Sequence, residues 1–141
     1  MWVETHNNYS TSDILFKILE DVGYENVKII WDVMHPIERG EMPDVTSSVL
    51  KDKIAHVHIK DGIKKDDEDE IEYHYTKLGE GSIPIEEVMI CLDKIGYEGY
   101  ISLEWEDKWR SELKGMYDNQ LELLGDFDKY LNTALENCGL L

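Results

Sequence analysis

The chain has 141 residues with 14 Lys and Arg against 31 Asp and Glu, and its net charge of −17 repels nucleic-acid phosphates from most of the surface. Hydrophobic residues at 42% and aromatics at 10% exclude a chain that stays disordered, and the length suits one domain. No apolar run approaches the roughly 20 residues that span a bilayer, Met1-Trp2-Val3-Glu4 lacks the makings of a signal peptide, and Cys91 and Cys138 show no disulfide or zinc spacing. A soluble, cytoplasmic protein with no nucleic-acid or membrane partner is expected.

The hydrophobic pattern then alternates between short β-branched runs and stretches of helical period. Trp2 to His6 reads as the stub of a strand. A helix follows with Ile14, Leu15, Ile18, Leu19 and Val22 on one face, Ser12 as N-cap and Gly23 as its stop. Val27 to Asp32 is a second strand, and Asp44 to about Lys51 a short helix. Ile54 to Lys60 is a third strand. It leads into a long insertion, Asp61 to Ser82, whose acidic centre (Asp66 to Glu70) reads as a solvated, mobile run within a loop over 63–77. Pro84 opens a helix that turns Ile85, Val88, Met89, Leu92 and Ile95 inward and ends at Gly96. Tyr100 to Trp105 is a fourth strand, Glu106, Trp109 and Arg110 read as the start of a helix, and Leu121, Leu124, Leu131 and Leu135 mark a long amphipathic helix covering the sheet. The pattern is α/β with a parallel sheet, either open and doubly wound or part of a barrel.

Each strand finishes in an ionisable residue: Glu4, Asp32, His58 and Glu104, at intervals of 28, 26 and 46. Strand ends of parallel α/β folds converge on one mouth, where three carboxylates and one imidazole would suit a divalent cation such as Mn²⁺, Mg²⁺, Co²⁺ or Zn²⁺. His56 shares a strand face with His58 but lies farther from the C-terminal end, so His58 is the preferred ligand.

Five motifs then bring a family into view. Glu4-Thr5-His6, Trp31 to Pro36, His56 to Asp61, Leu78 to Pro84 and Gly96 to Trp105 occur in an order that resembles the sugar phosphate isomerase/epimerase family of xylose-isomerase-like TIM barrels. The resemblance spans about residues 3 to 110. It implies metal ligands at Glu4, Asp32, His58 and Glu104, catalytic proton transfer by Glu4 and Glu104, and substrate contact by His35, beside which Lys60 is a second substrate-binding candidate. The implied chemistry is proton abstraction next to a carbonyl through a metal-stabilised enediolate, on a sugar or sugar phosphate. Lys64 stands where the ketose epimerases carry an arginine, which leaves the substrate open.

By the same resemblance Glu4 lies on strand five of eight, so the chain corresponds to the C-terminal half of a (β/α)8 barrel whose usual length is about 250 residues. The partner expected is the missing N-terminal half or a second copy of the chain, because a half barrel exposes two sheet edges. Two other readings stand beside the isomerase or epimerase. One is a non-catalytic metal-binding half barrel or interaction module, and the other an apurinic endonuclease-like enzyme, which needs more His and Asp ligands and which the negative charge disfavours.

Overall fold

The residues described in the computed structural model are 1–65 and 73–141; the acidic run Asp66 to Glu70 and the centre of the 63–77 loop lie outside them. Four short strands, β1 (Trp2–Glu4), β2 (Lys28–Asp32), β3 (Ile54–Ile59) and, after a hairpin, β6 (Ile101–Leu103), form a parallel sheet in the order β1-β2-β3-β6. Between them run α1 (Ser12–Val22), α2 (Met34–Glu38), α3 (Pro43–Leu50) and α4 (Ile85–Lys94), and α5 (Gln120–Asn137) closes the chain. The sheet is thus the partial barrel expected, with β1 and β6 as its outer strands.

Register explains how the two faces divide. Pairing sets Glu4 opposite Ile30, Asp32 opposite His58 and His58 opposite Ser102. Because successive side chains alternate, Glu4, Asp32, His56, His58 and Ser102 fall on one face, and Ile29, Trp31, Val57 and Ile59 on the other. That second face is buried with Leu15 and Leu19 of α1, Leu50 of α3 and Val88 and Leu92 of α4 in one hydrophobic cluster. Burying each such side chain contributes about 1.5–3 kcal/mol, so the aliphatic face is what holds the helices on and leaves the polar face for chemistry.

Several local expectations change. Ser12 does not cap α1: Thr11 precedes the helix without a side-chain cap bond, and the Ser12 N–H donates to both Glu41 carboxylate oxygens, at 3.0 and 3.2 Å. A carboxylate from the chain after α2 thus supplies the anion that a helix N-terminus attracts. Gly23 does end α1, at φ 66 with its N–H on the Leu19 carbonyl. On α5 the inward residues are Phe127, Tyr130, Leu131, Ala134 and Leu135. Leu121 and Leu124 point to solvent, 81% and 55% exposed. Glu106, Trp109 and Arg110 start no α-helix; a turn there leads to a single 3-10 turn, Ser111–Leu113.

The insertion contains order that composition concealed. β4 (Asp61–Lys64) and β5 (Tyr73–Thr76) pair antiparallel, with Tyr73 and Tyr75 buried. Asp61, 2% exposed, accepts four backbone N–H bonds: Gly62 and Ile83 on Oδ1 at 2.8 and 3.1 Å, and Gly79 and Gly81 on Oδ2 at 2.9 and 3.0 Å. A Cβ on Gly81 would collide with this carboxylate and with the Gly62 nitrogen, so the close approach requires glycine.

Candidate metal centre

Thr5 begins the site. Its hydroxyl donates to the Asp32 carbonyl and accepts the Asp32 N–H, both at 2.9 Å, and its own N–H donates to the Ile30 carbonyl. This reciprocal clamp ties the end of β1 to the end of β2, so the three-residue stub holds Glu4 beside Asp32 instead of fraying. Asp32 is fully buried, and its Oδ1 accepts the Met34 N–H at 2.9 Å. On the other side, the Glu104 N–H donates to the Ile59 carbonyl at 3.0 Å, which extends the β3–β6 ladder past its last paired residue.

These strand ends bring one ligand atom from each of Glu4, Asp32, His58 and Glu104 within 4.8 Å of the others. His58 Nδ1 faces Glu4 Oε1 at 2.8 Å and Glu104 Oε2 at 3.3 Å. His56 turns aside, with Nε2 on the Ser102 hydroxyl at 2.9 Å. Two buried oxygens of the cluster, Asp32 Oδ2 and Glu104 Oε2, have no donor in hydrogen-bonding geometry. Buried polar atoms are normally paired; oxygens without an aligned donor, in a set of three carboxylates and an imidazole, fit a divalent cation.

The protonation behaviour follows from the crowding. The Glu104 and Glu4 carboxylates at its Nδ1 push His58 up to about 9. The bond to His58 also holds Glu4 below the usual carboxylate range. Burial works against ionised Glu104, but the neighbouring His58 and Asp32 and the charge of Lys60 outweigh it and hold that carboxyl low. Burial pushes Asp32 the other way, up to about 7, with Lys60 opposing.

Lys60 and His35, the substrate-binding candidates, stand immediately beside the ligand set. Lys60 is 2% exposed, not a surface cation, and its Nζ lies 2.7 Å from Asp32 Oδ2, 2.9 Å from Glu106 Oε1, 3.2 Å from His35 Nε2 and 3.4 Å from Glu104 Oε2. Buried His35 directs Nδ1 at Glu38 Oε2, 2.8 Å away, and Nε2 toward Lys60 and Asp32. Glu106, read from sequence as part of a helix start, instead accepts from Lys60 and sits 3.8 Å from Arg110 Nε. Arg110 in turn lies over the Tyr75 ring at 4.2 Å and donates to its hydroxyl.

Sequence reasoning missed Thr5, Glu38 and Tyr75. Glu38 carried a signal, three residues after His35 on one helix face, and so did Glu106, which continues the strand alternation two residues beyond Glu104. Tyr75 and Thr5 carried none: their roles come from chain segments meeting in space.

Residues 1–126 match the family model described as xylose isomerase-like TIM barrel. The chain belongs to this family. It is 33% identical over 96 residues to an uncharacterized protein of Methanocaldococcus jannaschii, covering 67% of this chain and 31% of that one. It is also 29% identical over 107 residues to an inosose dehydratase of Clostridium beijerinckii, covering 68% of this chain and 36% of the relative. Among solved structures, a xylose isomerase-like TIM barrel protein of Mycobacterium smegmatis in complex with magnesium superposes with a TM-score of 0.68 at 16% identity, over 99% of this chain and 44% of that one. The chain therefore spans about a third of the curated relatives' length and under half of that solved barrel. No helix among the described residues is long and apolar enough to cross a membrane.

Proposed function

We propose that the chain carries the metal-binding half of a metal-dependent isomerase or epimerase acting on a sugar or sugar phosphate. The observation that supports this most directly is the cluster of Glu4, Asp32, His58 and Glu104 on four adjacent strand ends, with two buried oxygens lacking aligned donors. These four residues would hold one divalent ion, Mn²⁺, Mg²⁺, Co²⁺ or Zn²⁺. Bound there, such an ion supplies Lewis-acid stabilisation of negative charge developing on substrate oxygens.

The remaining chemistry belongs to the side chains. Glu4 and Glu104 come from the two outer strands and reach the same imidazole nitrogen from different sides. A substrate carbon held between them would meet a carboxylate on either side, so one glutamate takes a proton from the carbon beside the carbonyl and the other returns it. His58 orients both carboxylates. His35 and Lys60 sit where they can hydrogen-bond substrate oxygens next to Asp32. The name of the inosose dehydratase relative is consistent with a polyhydroxylated carbonyl substrate.

In the assembled barrel, Glu104→Gln with metal bound should slow deuterium exchange into the substrate's α-carbon by about 10²–10⁴. Exchange at the unsubstituted rate would remove Glu104 from the reaction. Metal analysis checks the centre separately: His58→Ala and Asp32→Ala should lose the ion, and full metal content in both would overturn the assignment.

A further inference from the structure

Lys60 brings more acceptors to its ammonium than the ammonium has donors. Four groups surround Nζ: Asp32 Oδ2 at 2.7 Å, Glu106 Oε1 at 2.9 Å, His35 Nε2 at 3.2 Å and Glu104 Oε2 at 3.4 Å. An ammonium offers three N–H bonds. The contacts with Glu106 and His35 meet hydrogen-bonding geometry, whereas Asp32 Oδ2 and Glu104 Oε2 face the ammonium without an aligned donor. Asp32 and Glu104 are also half of the four-residue ligand cluster.

A divalent ion binds carboxylate oxygens at about 2.0–2.6 Å, so an ion on Asp32 Oδ2 would stand next to an ammonium already 2.7 Å from the same atom. Two cations cannot share that oxygen without strong repulsion. The ammonium has another seat. His35 directs Nδ1 at Glu38 Oε2, 2.8 Å away, which makes Nδ1 the donor and leaves Nε2 as an acceptor for Lys60. Glu106 supplies a carboxylate outside the ligand set. Lys60 can therefore give up Asp32 and Glu104 while keeping both aligned bonds.

We propose that Lys60 is a tethered competitor for the divalent ion: its ammonium and the ion contend for the Asp32 and Glu104 oxygens, and Glu106 with His35 holds the ammonium when the ion takes them. This rests on the metal-centre reading above. It makes Lys60 and Glu106 positioning residues that set metal affinity in opposite directions. The same competition lets the acidic ligand set keep its geometry while ions exchange.

The test is calorimetric titration of MnCl₂ into the chelator-treated chain and its variants, with thermal melts to confirm folding. Lys60→Met and Lys60→Gln should bind Mn²⁺ roughly tenfold or more tighter than the unsubstituted chain, because a cation beside the ion has gone. Lys60→Arg, which keeps the charge, should show no gain. Glu106→Gln should bind roughly tenfold weaker, since the withdrawn ammonium loses its seat. A lysine that merely supports the fold would make the Lys60 and Glu106 variants both weaker; that result, or an unchanged Kd in folded Lys60 variants, overturns the proposal. Should both neutral Lys60 variants fail to fold, Glu106→Gln decides, and an unchanged or tighter Kd overturns it. Binding seen only after Lys60→Met supports strong competition. If neither the unsubstituted chain nor any variant takes up Mn²⁺, the metal-centre reading itself fails and this inference goes with it.

Discussion

β2 and β6 each lead into a carboxylate of the same cluster, yet the two are held in different ways. β2 lies inside the sheet, and Ile29, Trp31 and Asp32 are fully buried, with Asp32 fastened by Thr5, Met34 and Lys60. β6 is an outer strand with all three residues only half-buried, and Glu104 depends on one ladder bond, His58 and Lys60 for its position. Glu4, on the opposite outer strand, resembles Glu104 in exposure, the two side chains being 30% and 26% exposed. The inner carboxylate is an anchor fixed by backbone and buried charge. The outer glutamates keep access to solvent and to whatever binds above the sheet, which suits the proton exchange proposed for them.

The largest expected effect falls on the anchor. Asp32→Ala takes the nearest carboxylate from buried Lys60 and the acceptor from the Met34 N–H. Because Glu106 still holds the ammonium, the cost should fall at the low end of the range of about 3–5 kcal/mol for breaking a buried ion pair from one side. Urea denaturation should show that loss, whereas Glu4→Ala on the outer strand should cost no more than about 1 kcal/mol. Equal losses would erase the distinction between inner and outer ligands.

A smaller effect concerns pH. His58 is raised to about 9 by Glu104 and Glu4, so its charged contacts stabilise the metal-free fold fully below its unfolded value of about 6.5. That contribution fades as pH rises through about 9. Metal binding needs the neutral imidazole, so below that pH affinity should fall roughly tenfold per unit. Melting temperature with chelator and Mn²⁺ titrations between pH 6 and 10 should therefore move in opposite directions. Midpoints near 6.5 in both would mean that Glu4 and Glu104 do not grip His58 as the distances imply. The smallest effect lies farthest from the sheet: Leu124→Ala on α5 should stay within about 0.5 kcal/mol, while Leu15→Ala in the core should cost about 2–5 kcal/mol.

Much of this was legible in the sequence because periodicity records which face is buried. The β-branched runs within Lys28–Asp32 and Ile54–Ile59 set the strands, and a polar residue ending each of four strands marked the four side chains that cluster before any contact was known. α5 misled in its first half because leucine spacing was taken as the buried stripe along its whole length. Leu121 and Leu124 stand in its first turns facing solvent, while Leu131 and Leu135 do join Phe127, Tyr130 and Ala134 in the seam. The hairpin escaped because charge dominates the composition between Asp61 and Ser82, while Tyr73 and Tyr75, which make it pack, are too few to register as a period. Lys60 was named as a substrate-binding candidate, but its burial was not legible: whether a lysine lies on the surface or inside depends on carboxylates supplied by β2, β6 and the turn after β6.

The Asp61 carboxylate has a consequence for how the protein can change. It gathers the amides of Gly62, Gly79, Gly81 and Ile83 at one point, so the chain leaves the sheet and returns to nearly the same place before α4 begins. Topologically the hairpin is a side branch whose root is sealed. Doubling the length of such a loop adds only about 0.6 kcal/mol of closure cost. A reporter peptide or a foreign loop spliced between residues 65 and 73 therefore leaves Lys60 on one side of the seal and Pro84 on the other in their places. The fold keeps its candidate metal ligands on the sheet and offers this branch as the part that can be exchanged.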